Sequence, residues 1–280
     1  MKTVTLIGGA DYQKQLNKVN QAPVDLIVAT PGRLIDFMER RYLALDRVET
    51  LVLDEADRML DMGFIPQVKR IVRATPRKED RQTLLFSATF TQDIMNLARQ
   101  WTFEPITVEI EPERVATASV DQKVYLVSSR ERFSVLMDLL KDPAVVSVII
   151  FANRRDQVRR LYEKLRKEGV QCGMLSGEIT QAKRTKTLEN FKSGRSKVMV
   201  ATDVAGRGIH VEGVSHVVNY NLPEDPEDYV HRIGRTGRAG ATGVSISFAS
   251  EDDAFLLPDI EALLGHSLAC MAPPAPGDNP

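Results

Sequence analysis

Short apolar runs alternate along this chain with stretches in which apolar residues recur at helical spacing. In the first half these runs predict strands at residues 4–7, 25–29, 50–53, 83–86 and 106–108. In the second half they predict strands at residues 123–127, 146–151, 172–175, 198–202, 216–219 and 244–248. Strands and helices that alternate in this way are typical of βα units around a mostly parallel sheet. The pattern therefore predicts an α/β fold with one such sheet in each half.

The stretches between the runs predict helices. Residues 32–40 and 67–74 carry apolar side chains on one helical face. Ser128 and Glu131 have the spacing of a capping box, which predicts that a helix begins there. Residues 254–264 predict the last helix of the chain.

The periodicity breaks once in the middle of the chain, at residues 109–119, and this break predicts an interdomain linker. We therefore place a first domain at residues 1–112, the linker at 113–119 and a second domain at 120–266. The end of the chain is rich in proline, so we predict a flexible tail at residues 267–280.

The composition describes an ordinary globular protein. The chain has 280 residues, with 37 Lys and Arg against 38 Asp and Glu and a formal net charge of −1. This balance excludes a basic field over the whole surface, so a nucleic-acid site must be a local patch. Cys172 and Cys270 lie far apart and have no metal-ligand spacing, which indicates free thiols in a reducing compartment. No apolar run approaches the length of a membrane span, and we expect a cytoplasmic protein without membrane contact.

The most informative segment is an acidic turn at residues 54–57 (Asp-Glu-Ala-Asp), directly after the apolar run 51–53. Carboxylates at the end of a buried strand are costly unless a positive charge meets them, and Mg²⁺ with a phosphate is a common solution. Asp54 would then hold the metal, and Glu55 would orient an attacking water. The alternative is a solvated acidic turn. Such chemistry also predicts a phosphate-binding loop, yet the 280 residues contain no Gly-x-x-x-x-Gly-Lys-Ser/Thr sequence.

Three more polar segments follow predicted strands in the first half. Residues 30–33 (Thr-Pro-Gly-Arg) combine a proline at a helix start with an arginine, which suits a phosphate site or a plain strand-to-helix turn. Residues 8–9 (Gly-Gly) permit a tight turn. Residues 87–89 (Ser-Ala-Thr), taken alone, are better explained as a helix N-cap.

The second half contributes basic and glycine-rich segments. Residues 181–184 (Gln-x-x-Arg) begin a predicted helix, where they form either a phosphate contact or an exposed polar face. Residues 201–210 place two glycines around an arginine just beyond a strand, which suits close approach to a phosphate. Residues 231–238 hold three arginines separated by glycines, and arginine's planar fork of donors suits phosphoryl oxygens. A triphosphate between the two sheets would use both the carboxylates and the arginines.

In their order along the chain, these segments resemble the motifs of the DEAD-box RNA helicases. The matching segments are 8–9, 30–33, 54–57, 87–89, 149–153, 181–184, 201–208 and 231–238. The resemblance implies two RecA-like parallel-sheet domains, the first of them incomplete, in an enzyme that couples ATP binding and hydrolysis to RNA unwinding. It implies ATP and Mg²⁺ as cofactors, RNA as a partner, and a degradosome-type ribonuclease scaffold as a protein partner in RNA degradation.

The resemblance also assigns roles to the matching positions. It makes Asp54 the Mg²⁺ ligand, Glu55 the general base or water-positioning residue, Arg235 and Arg238 the arginine fingers, and Gly206 a further nucleotide contact. The residues that would couple nucleotide state to domain movement are Asp57, Ser87, Thr89 and His231. The residues that would hold the RNA backbone without sequence preference are Gly9, Thr30, Gly32, Arg33, Gln181, Arg184 and Thr202.

Two departures from the family pattern set further expectations. His210 stands where most members have an aspartate that contacts the nucleotide ribose, so the resemblance does not extend to that contact. The family's adenine-reading segment and P-loop precede the Gly-Gly pair, and here seven residues precede it. We therefore expect a first domain that exposes strand edges and apolar surface, a fragment 1–116 that does not melt cooperatively, and residues from about 118 to 265 that fold alone. We also expect this chain to hydrolyse ATP poorly or not at all, and the alternative function is a non-catalytic RNA- or partner-binding remnant.

Overall fold

The computed structural model describes residues 1–109, 120–206, 211, 214–237 and 242–274. The chain divides into two compact units, Met1–Glu109 and Ile110–Pro280. The linker predicted at residues 113–119 lies outside the described residues, so the predicted domain boundaries stay predictions. Within the described residues, no helix is both long and apolar enough to cross a membrane.

The first unit contains four short strands and five helices in its described residues. In chain order they are β1 (Thr3–Leu6), α1 (Tyr12–Asn20), β2 (Leu26–Ala29), α2 (Pro31–Glu39), β3 (Thr50–Leu53), α3 (Ala56–Asp61), α4 (Ile65–Ala74), β4 (Gln82–Leu85) and α5 (Gln92–Trp101). Strand β1 pairs in parallel with β2, and β3 pairs in parallel with β4, so the unit holds two separate two-stranded sheets. The predicted α/β class with parallel strands is confirmed.

Each sheet of the first unit buries one face. Val4 and Leu6 of β1 pack with Phe37 of α2 in one apolar cluster. Leu53 packs with helices α4 and α5 in a second cluster, which includes Trp101. On the opposite faces, four strand residues stay exposed, namely Leu26, Val28, Val52 and Leu84. Strand alternation therefore places apolar side chains on both faces, although only one face of each sheet is covered.

The strand predicted at residues 106–108 is wrong. The structure gives this segment no strand, and the side chains of Ile106 and Val108 are 90% and 72% exposed. An alternating apolar pattern forms a strand only where a neighbouring strand can take its backbone hydrogen bonds. The segment follows α5, and neither two-stranded sheet includes it.

The second unit is built around one larger sheet. Its elements are β5 (Val120–Leu126), α6 (Arg132–Leu139), β6 (Val148–Phe151), α7 (Arg155–Lys167), β7 (Cys172–Leu175), α8 (Gln181–Lys192), β8 (Val198–Ala201), α9 (Asp203–Gly206), β9 (His216–Asn219), α10 (Pro226–Ile233), β10 (Gly243–Ala249), a 3₁₀ turn (Ala254–Leu256), α11 (Leu257–Leu264) and β11 (Cys270–Met271). The seven strands are ordered β11-β5-β10-β9-β6-β8-β7, and every pairing is parallel.

Both faces of this larger sheet are buried. Along β6, Val148 and Ile150 belong to the apolar cluster on one face, whereas Ile149 and Phe151 belong to the cluster on the other. All four residues of β6, β8 and β9 are buried. Strands that are covered on both faces read as continuous apolar runs, which is why this part of the sheet is visible in the sequence.

The predicted capping box forms, although the helix begins later than expected. The Ser128 hydroxyl donates to the Glu131 carboxylate at 2.6 Å, and the Glu131 amide donates back to the Ser128 hydroxyl at 3.3 Å. Helix α6 begins only at Arg132. The two residues therefore close a turn that precedes the helix.

The fold extends into the segment that was predicted to be a flexible tail. Strand β11 pairs with β5, with Cys270 opposite Val124. Leu268 is buried, and its amide donates to the Glu261 carboxylate at 2.7 Å. A tail prediction from proline content fails here because the prolines begin only after this edge strand. Residues 275–280 lie outside the described residues.

Candidate functional site

The candidate site residues that the structure describes share one position in the fold. In the first unit, segments 8–9, 30–33, 54–57 and 87–89 follow the carboxyl ends of β1, β2, β3 and β4. In the second unit, segments 181–184, 202–206 and 231–235 come after β7, β8 and β9. In open parallel sheets, ligands bind beyond the carboxyl ends of the strands. Each unit therefore presents its polar motifs at the edge where such folds bind ligands.

The acidic turn leaves its first two carboxylates exposed to solvent. Asp54 follows β3 directly, and its carboxylate accepts a hydrogen bond from the Glu55 amide at 2.9 Å. Glu55 has φ 53° and ψ 51°, in the left-handed region. That conformation costs a non-glycine residue about 1–2 kcal/mol, and strained residues of this kind concentrate at functional sites. The turn presents both carboxylates at the strand end and directs the chain into α3.

The third carboxylate of the turn is buried beside the next strand. Asp57 is 5% exposed, and one of its carboxylate oxygens has no hydrogen-bond partner among the residues that the structure describes. Its amide donates to the Ser87 hydroxyl at 3.2 Å, and the Ala56 amide donates to the Phe86 carbonyl oxygen at 3.0 Å. These bonds join the acidic turn to the segment after β4, so two motifs 30 residues apart become one structural element.

The hydroxyl segment is not a helix cap, contrary to the explanation that the sequence alone favours. Helix α5 begins at Gln92, and its N-cap is Thr91, whose hydroxyl accepts from the Ile94 amide at 3.4 Å. Ser87 instead contacts the acidic turn, and Thr89 is half-buried. The N-cap prediction failed because a second threonine stands closer to the helix start.

The acidic turn has a donor set that fits Mg²⁺ bound to a phosphate. Asp54 offers an exposed carboxylate, which is the ligand type that Mg²⁺ takes. At phosphate sites Mg²⁺ is held by one or two carboxylates, with waters and phosphate oxygens as the other ligands. Among the described residues, no three His, Cys, Asp or Glu side chains are grouped to hold a metal ion by themselves.

A buried glutamine braces the Gly-Gly loop. The Gln15 side chain accepts from the Ile7 amide at 2.9 Å and donates to the carbonyl oxygens of Ile7 and Asp11, each at 3.2 Å. Gly9 has φ 72°, which favours glycine at this turn. Gln15 could not be selected from the sequence, because a polar residue in an amphipathic helix is normally part of its solvated face.

The segment after β2 forms the start of helix α2. Thr30 is the N-cap residue, Pro31 occupies the first turn, and a side chain added at Gly32 would meet no atom within 4 Å. The amide groups of a helix start attract anions, and this one is open on its outer side. The Arg33 guanidinium lies 5.1 Å from the centre of the Tyr12 ring, a cation–π distance. Tyr12 is a residue that sequence analysis did not select.

In the second unit, one arginine of the basic segment is a buried structural group. Arg232 is 1% exposed and donates to Asp203 at 2.7 Å and to Asn153 at 2.8 Å. Its other bonds reach the Asn219 side chain at 3.3 Å and the Asn221 carbonyl oxygen at 2.7 Å. These partners follow β6, β8 and β9, so Arg232 ties three strand ends together. In the sequence Arg232 is one of three arginines in its segment, and nothing there distinguishes its role from theirs.

Two residues after β8 are packed into the unit. Thr202 is 6% exposed, and its hydroxyl accepts from the Ala205 amide at 3.4 Å, at the start of the short helix α9. A side chain at Gly206 would meet the Phe151 ring at 2.5 Å, so only glycine fits there. The structure therefore gives both residues a local packing role. Arg207, Gly208 and His210 lie outside the described residues.

Residues Gln181 and Arg184 lie at the start of α8, whose N-cap is Thr180. Both side chains are half-buried, and burial lowers the pKa of the Arg184 guanidinium. No acid in the described ranges forms an ion pair with Arg184. A half-buried cation without an acidic partner, one turn inside a helix start, is suited to an anion from outside the protein.

The arginine segment begins in α10, and the helix ends at Ile233 as the following glycines predict. The Arg235 guanidinium donates to the His231 carbonyl oxygen at 3.1 Å, and the His231 ring lies 3.8 Å from Asp228. Thr236 is buried, and its hydroxyl donates to the carbonyl oxygens of the segment before β9. Arg238, the second predicted arginine finger, lies outside the described residues.

Comparison with known proteins now defines the class. Residues 1–97 match the family model "DEAD/DEAH box helicase", and residues 131–240 match "Helicase conserved C-terminal domain". The chain belongs to the DEAD-box helicase family.

Among its relatives are proteins named "ATP-dependent RNA helicase RhlB". The protein of Pseudomonas aeruginosa (strain UCBPP-PA14) is 58% identical over 275 residues, which cover 98% of this chain and 69% of the relative. The protein of Haemophilus influenzae (strain KW20 Rd) is 42% identical, over 96% of this chain and 64% of the relative. The structure of Saccharomyces cerevisiae Dbp5 bound to RNA and ADP BeF3 is similar, with a TM-score of 0.84 and 33% identity over 96% of this chain and 70% of Dbp5. The fold prediction of two RecA-like parallel-sheet domains, with a smaller first one, is confirmed.

Proposed function

We propose that this protein is an ATP-dependent RNA helicase in which both units contribute residues to nucleotide and RNA binding. The observation that carries the proposal is the position of the segments that directly follow β1, β2, β3, β4 and β8, at the carboxyl ends of parallel strands. Membership of the family supports the same conclusion, as do relatives named ATP-dependent RNA helicases and a similar structure that holds RNA and a nucleotide analogue.

The nucleotide chemistry is assigned to the acidic turn and the arginine segment. Asp54 would hold Mg²⁺, which would neutralise charge on the phosphates. The exposed Glu55 carboxylate orients the attacking water and accepts its proton. Arg235 and Arg238 supply guanidinium donors for phosphoryl oxygens, and Gly206 permits close approach of the backbone.

The coupling of nucleotide state to domain movement is assigned to four residues, namely Asp57, Ser87, Thr89 and His231. The hydrogen bond between the Asp57 amide and Ser87 supports this for the first unit, because a shift of the acidic turn would move the segment after β4. His231 lies beside Arg235, whose guanidinium donates to the His231 carbonyl oxygen.

RNA binding is assigned to two sets of residues that favour the sugar–phosphate backbone. In the first unit they are Gly9, Thr30, Gly32 and Arg33, around the open start of α2. In the second unit they are Gln181, Arg184 and Thr202. Amide groups at helix starts and arginines bind phosphates without reading bases, so we propose binding without sequence preference.

The biological setting is a finer part of the proposal. We propose a role in RNA degradation in the cytoplasm, with a degradosome-type ribonuclease scaffold as a partner. The two free cysteines, one buried and one exposed, support a reducing compartment. Co-purification of the tagged protein with a ribonuclease after RNA has been digested would test the partner, and cell fractionation would test the location.

The main test is RNA-stimulated ATP hydrolysis by the chain and by Glu55→Gln. We expect Glu55→Gln to abolish the RNA-stimulated part of the turnover, since it removes the proton acceptor and leaves the shape of the side chain. Glu49→Gln is the matched control, because Glu49 is an exposed glutamate just before the same strand, at its other end. Equal loss of activity in both variants would contradict the role of Glu55.

A second readout does not require ATP turnover. RNA affinity is measured with and without a non-hydrolysable ATP analogue. We expect the analogue to strengthen RNA binding, because nucleotide and RNA stabilise the same state. RNA binding that does not respond to nucleotide would instead support the alternative, a non-catalytic RNA-binding protein.

A further inference from the structure

An apolar groove lies at the amino edge of the second unit's sheet, away from the candidate site. Its volume is about 290 Å³. Val148 and Val198, which pair across the first positions of β6 and β8, form the floor with Val145. The half-buried side chains of Leu140 and Val170 form the walls. Small-molecule pockets commonly measure about 300–1,000 Å³, so this groove fits one large apolar side chain better than a whole cofactor.

Two exposed cations border the groove. Arg195 and Lys197 flank the start of β8, and neither forms an ion pair with an acid in the described part of the chain. The Arg195 guanidinium donates to the Ser193 hydroxyl at 3.0 Å. The Ser196 hydroxyl donates to the Gln171 carbonyl oxygen at 3.1 Å, which joins the segments before β7 and β8. This hydrogen bond holds in place the backbone that carries Arg195 and Lys197.

Two acids lie on the facing segment, and neither is among the residues that line the groove. The Asp142 carboxylate accepts from the Ala144 amide at 2.8 Å, and Asp138 pairs with Lys141 at 2.7 Å. The charged side chains that line the groove are therefore both positive, namely Arg195 and Lys197. A ligand with negative charge beside an apolar group would complement both the rim and the floor.

The lining of the groove favours a protein segment over RNA. Single-stranded RNA is held by bases that stack on aromatic rings. The residues that line this groove are aliphatic, polar or basic, and none is aromatic. The groove also lies at the opposite ends of β6 and β8 from Asn153 and Thr202, so an occupant would leave the proposed RNA contacts free.

We propose that this groove docks a short acidic segment of a partner protein. One aliphatic or aromatic side chain of the partner enters the groove, and Asp or Glu residues beside it meet Arg195 and Lys197. In such contacts a buried apolar side chain usually supplies much of the binding energy, and charged groups at the rim supply specificity. The proposal does not depend on the helicase activity.

The test uses short random peptides displayed on phage and selected against the whole 280-residue chain. We expect enriched peptides to carry a large apolar residue next to at least one Asp or Glu. The strongest is synthesised with a fluorescent label, and its affinity is measured by anisotropy. We expect Arg195→Glu/Lys197→Glu to weaken binding by about tenfold or more, because like charges then face each other.

A matched control changes the net charge equally at other exposed cations. Arg159→Glu/Lys186→Glu alters α7 and α8 outside the groove, and we expect it to change affinity by less than about twofold. Circular dichroism checks that both variants fold. Selection without an acidic and apolar preference would overturn the proposal. So would equal binding to the Arg195→Glu/Lys197→Glu variant, or displacement of the peptide by an RNA oligonucleotide, which would make the groove a nucleic-acid site.

Discussion

The two units bury their sheets to very different degrees. In the first unit, Val52 of β3 is 53% exposed, and its neighbour Leu84 of β4 is also exposed. In the second unit, Val200 of β8 and Ile150 of β6 are fully buried. Aliphatic side chains in parallel strands are thus exposed to solvent in the first unit and buried in the second. Burial of apolar area contributes about 25 cal/mol per Å², so the second unit has much the larger source of stability.

The difference lies in how many strands share one sheet. A seven-stranded sheet gives each central strand two neighbours and helices on both faces, whereas each two-stranded sheet of the first unit has two open edges. Small parallel sheets are rarely stable, because parallel strands normally need both faces covered. The comparison predicts that the two units differ in stability, and that substitutions of one type have different costs in them.

The largest expected effect is separate unfolding of the two units. Trp101 is the chain's single tryptophan, and it is buried in the first unit. We expect its fluorescence to change at a lower denaturant concentration than the main loss of circular dichroism, because the first unit is expected to contribute less than about 5 kcal/mol of stability. Coincident transitions by both probes would show that the two units unfold together.

The difference in stability between the two units can also be tested with each unit as a separate fragment. A fragment of residues 120–274 is expected to melt cooperatively, and fragment 1–116 is expected to show no cooperative transition and to aggregate through its exposed strand faces. A sharp melting transition of fragment 1–116 would contradict the comparison directly.

The next effect concerns the buried arginine of the second unit. Arg232→Met removes the partner of Asp203 and leaves a nearly buried carboxylate without compensation. Breaking a buried pair in this way costs about 3–5 kcal/mol. We expect the circular-dichroism transition to shift to lower denaturant while the Trp101 transition stays unchanged.

An exposed ion pair supplies the control for this substitution. Arg160 lies 3.5 Å from Asp156 on the solvent side of α7. We expect Arg160→Met to change stability by less than about 0.5 kcal/mol, because exposed pairs contribute little. Similar losses in both variants would mean that the bonds of Arg232 to three strand ends do not stabilise the unit.

Much of the larger sheet is visible in the sequence for a physical reason. Residues 146–151 and 198–202 were predicted as strands and contain β6 and β8, because strands buried on both faces are apolar throughout. Edge elements carry a weaker signal. Strand β11 has only two residues, and what holds the segment is the contact between Leu268 and Glu261, which no periodicity reveals.

The residues of the candidate site were also only partly predictable from the sequence. Charged and glycine-rich motifs after strands could be found from their spacing, and the structure places them at one edge of each unit. Residues that support the site through buried hydrogen bonds could not be found in this way. Arg232 acts through hydrogen bonds to residues that are distant in sequence, and Gln15 acts through bonds to the backbone of the loop before its helix, so neither pattern is visible in the periodicity of the chain.

A smaller effect is expected from one substitution made in both units. Val200→Thr places a hydroxyl in the fully buried face of β8 and should cost about 1–3 kcal/mol. Val52→Thr makes the same change on the exposed face of β3 and should cost less than about 0.5 kcal/mol. Denaturant unfolding, followed by circular dichroism for the first variant and by Trp101 for the second, measures both. Equal costs would show that the exposed face of β3 is covered in solution.

The smallest expected effect is a pH dependence confined to the second unit. His216 is buried at the start of β9, and burial lowers the pKa of its imidazole from the ordinary value of 6.5, while the nearby Asp142 raises it and Lys123 lowers it. At a pH just below 6.5, the folded state therefore binds fewer protons than the unfolded state. Stability is lost as the pH falls below that value. We expect the circular-dichroism transition to move to lower denaturant between about pH 7 and pH 5, while the Trp101 transition moves less. His216→Gln should reduce the shift, whereas His266→Gln, at an exposed histidine, should leave it in place. An unchanged shift in His216→Gln would assign the pH dependence to other groups, and the contrast between the units would then have to be explained by packing alone.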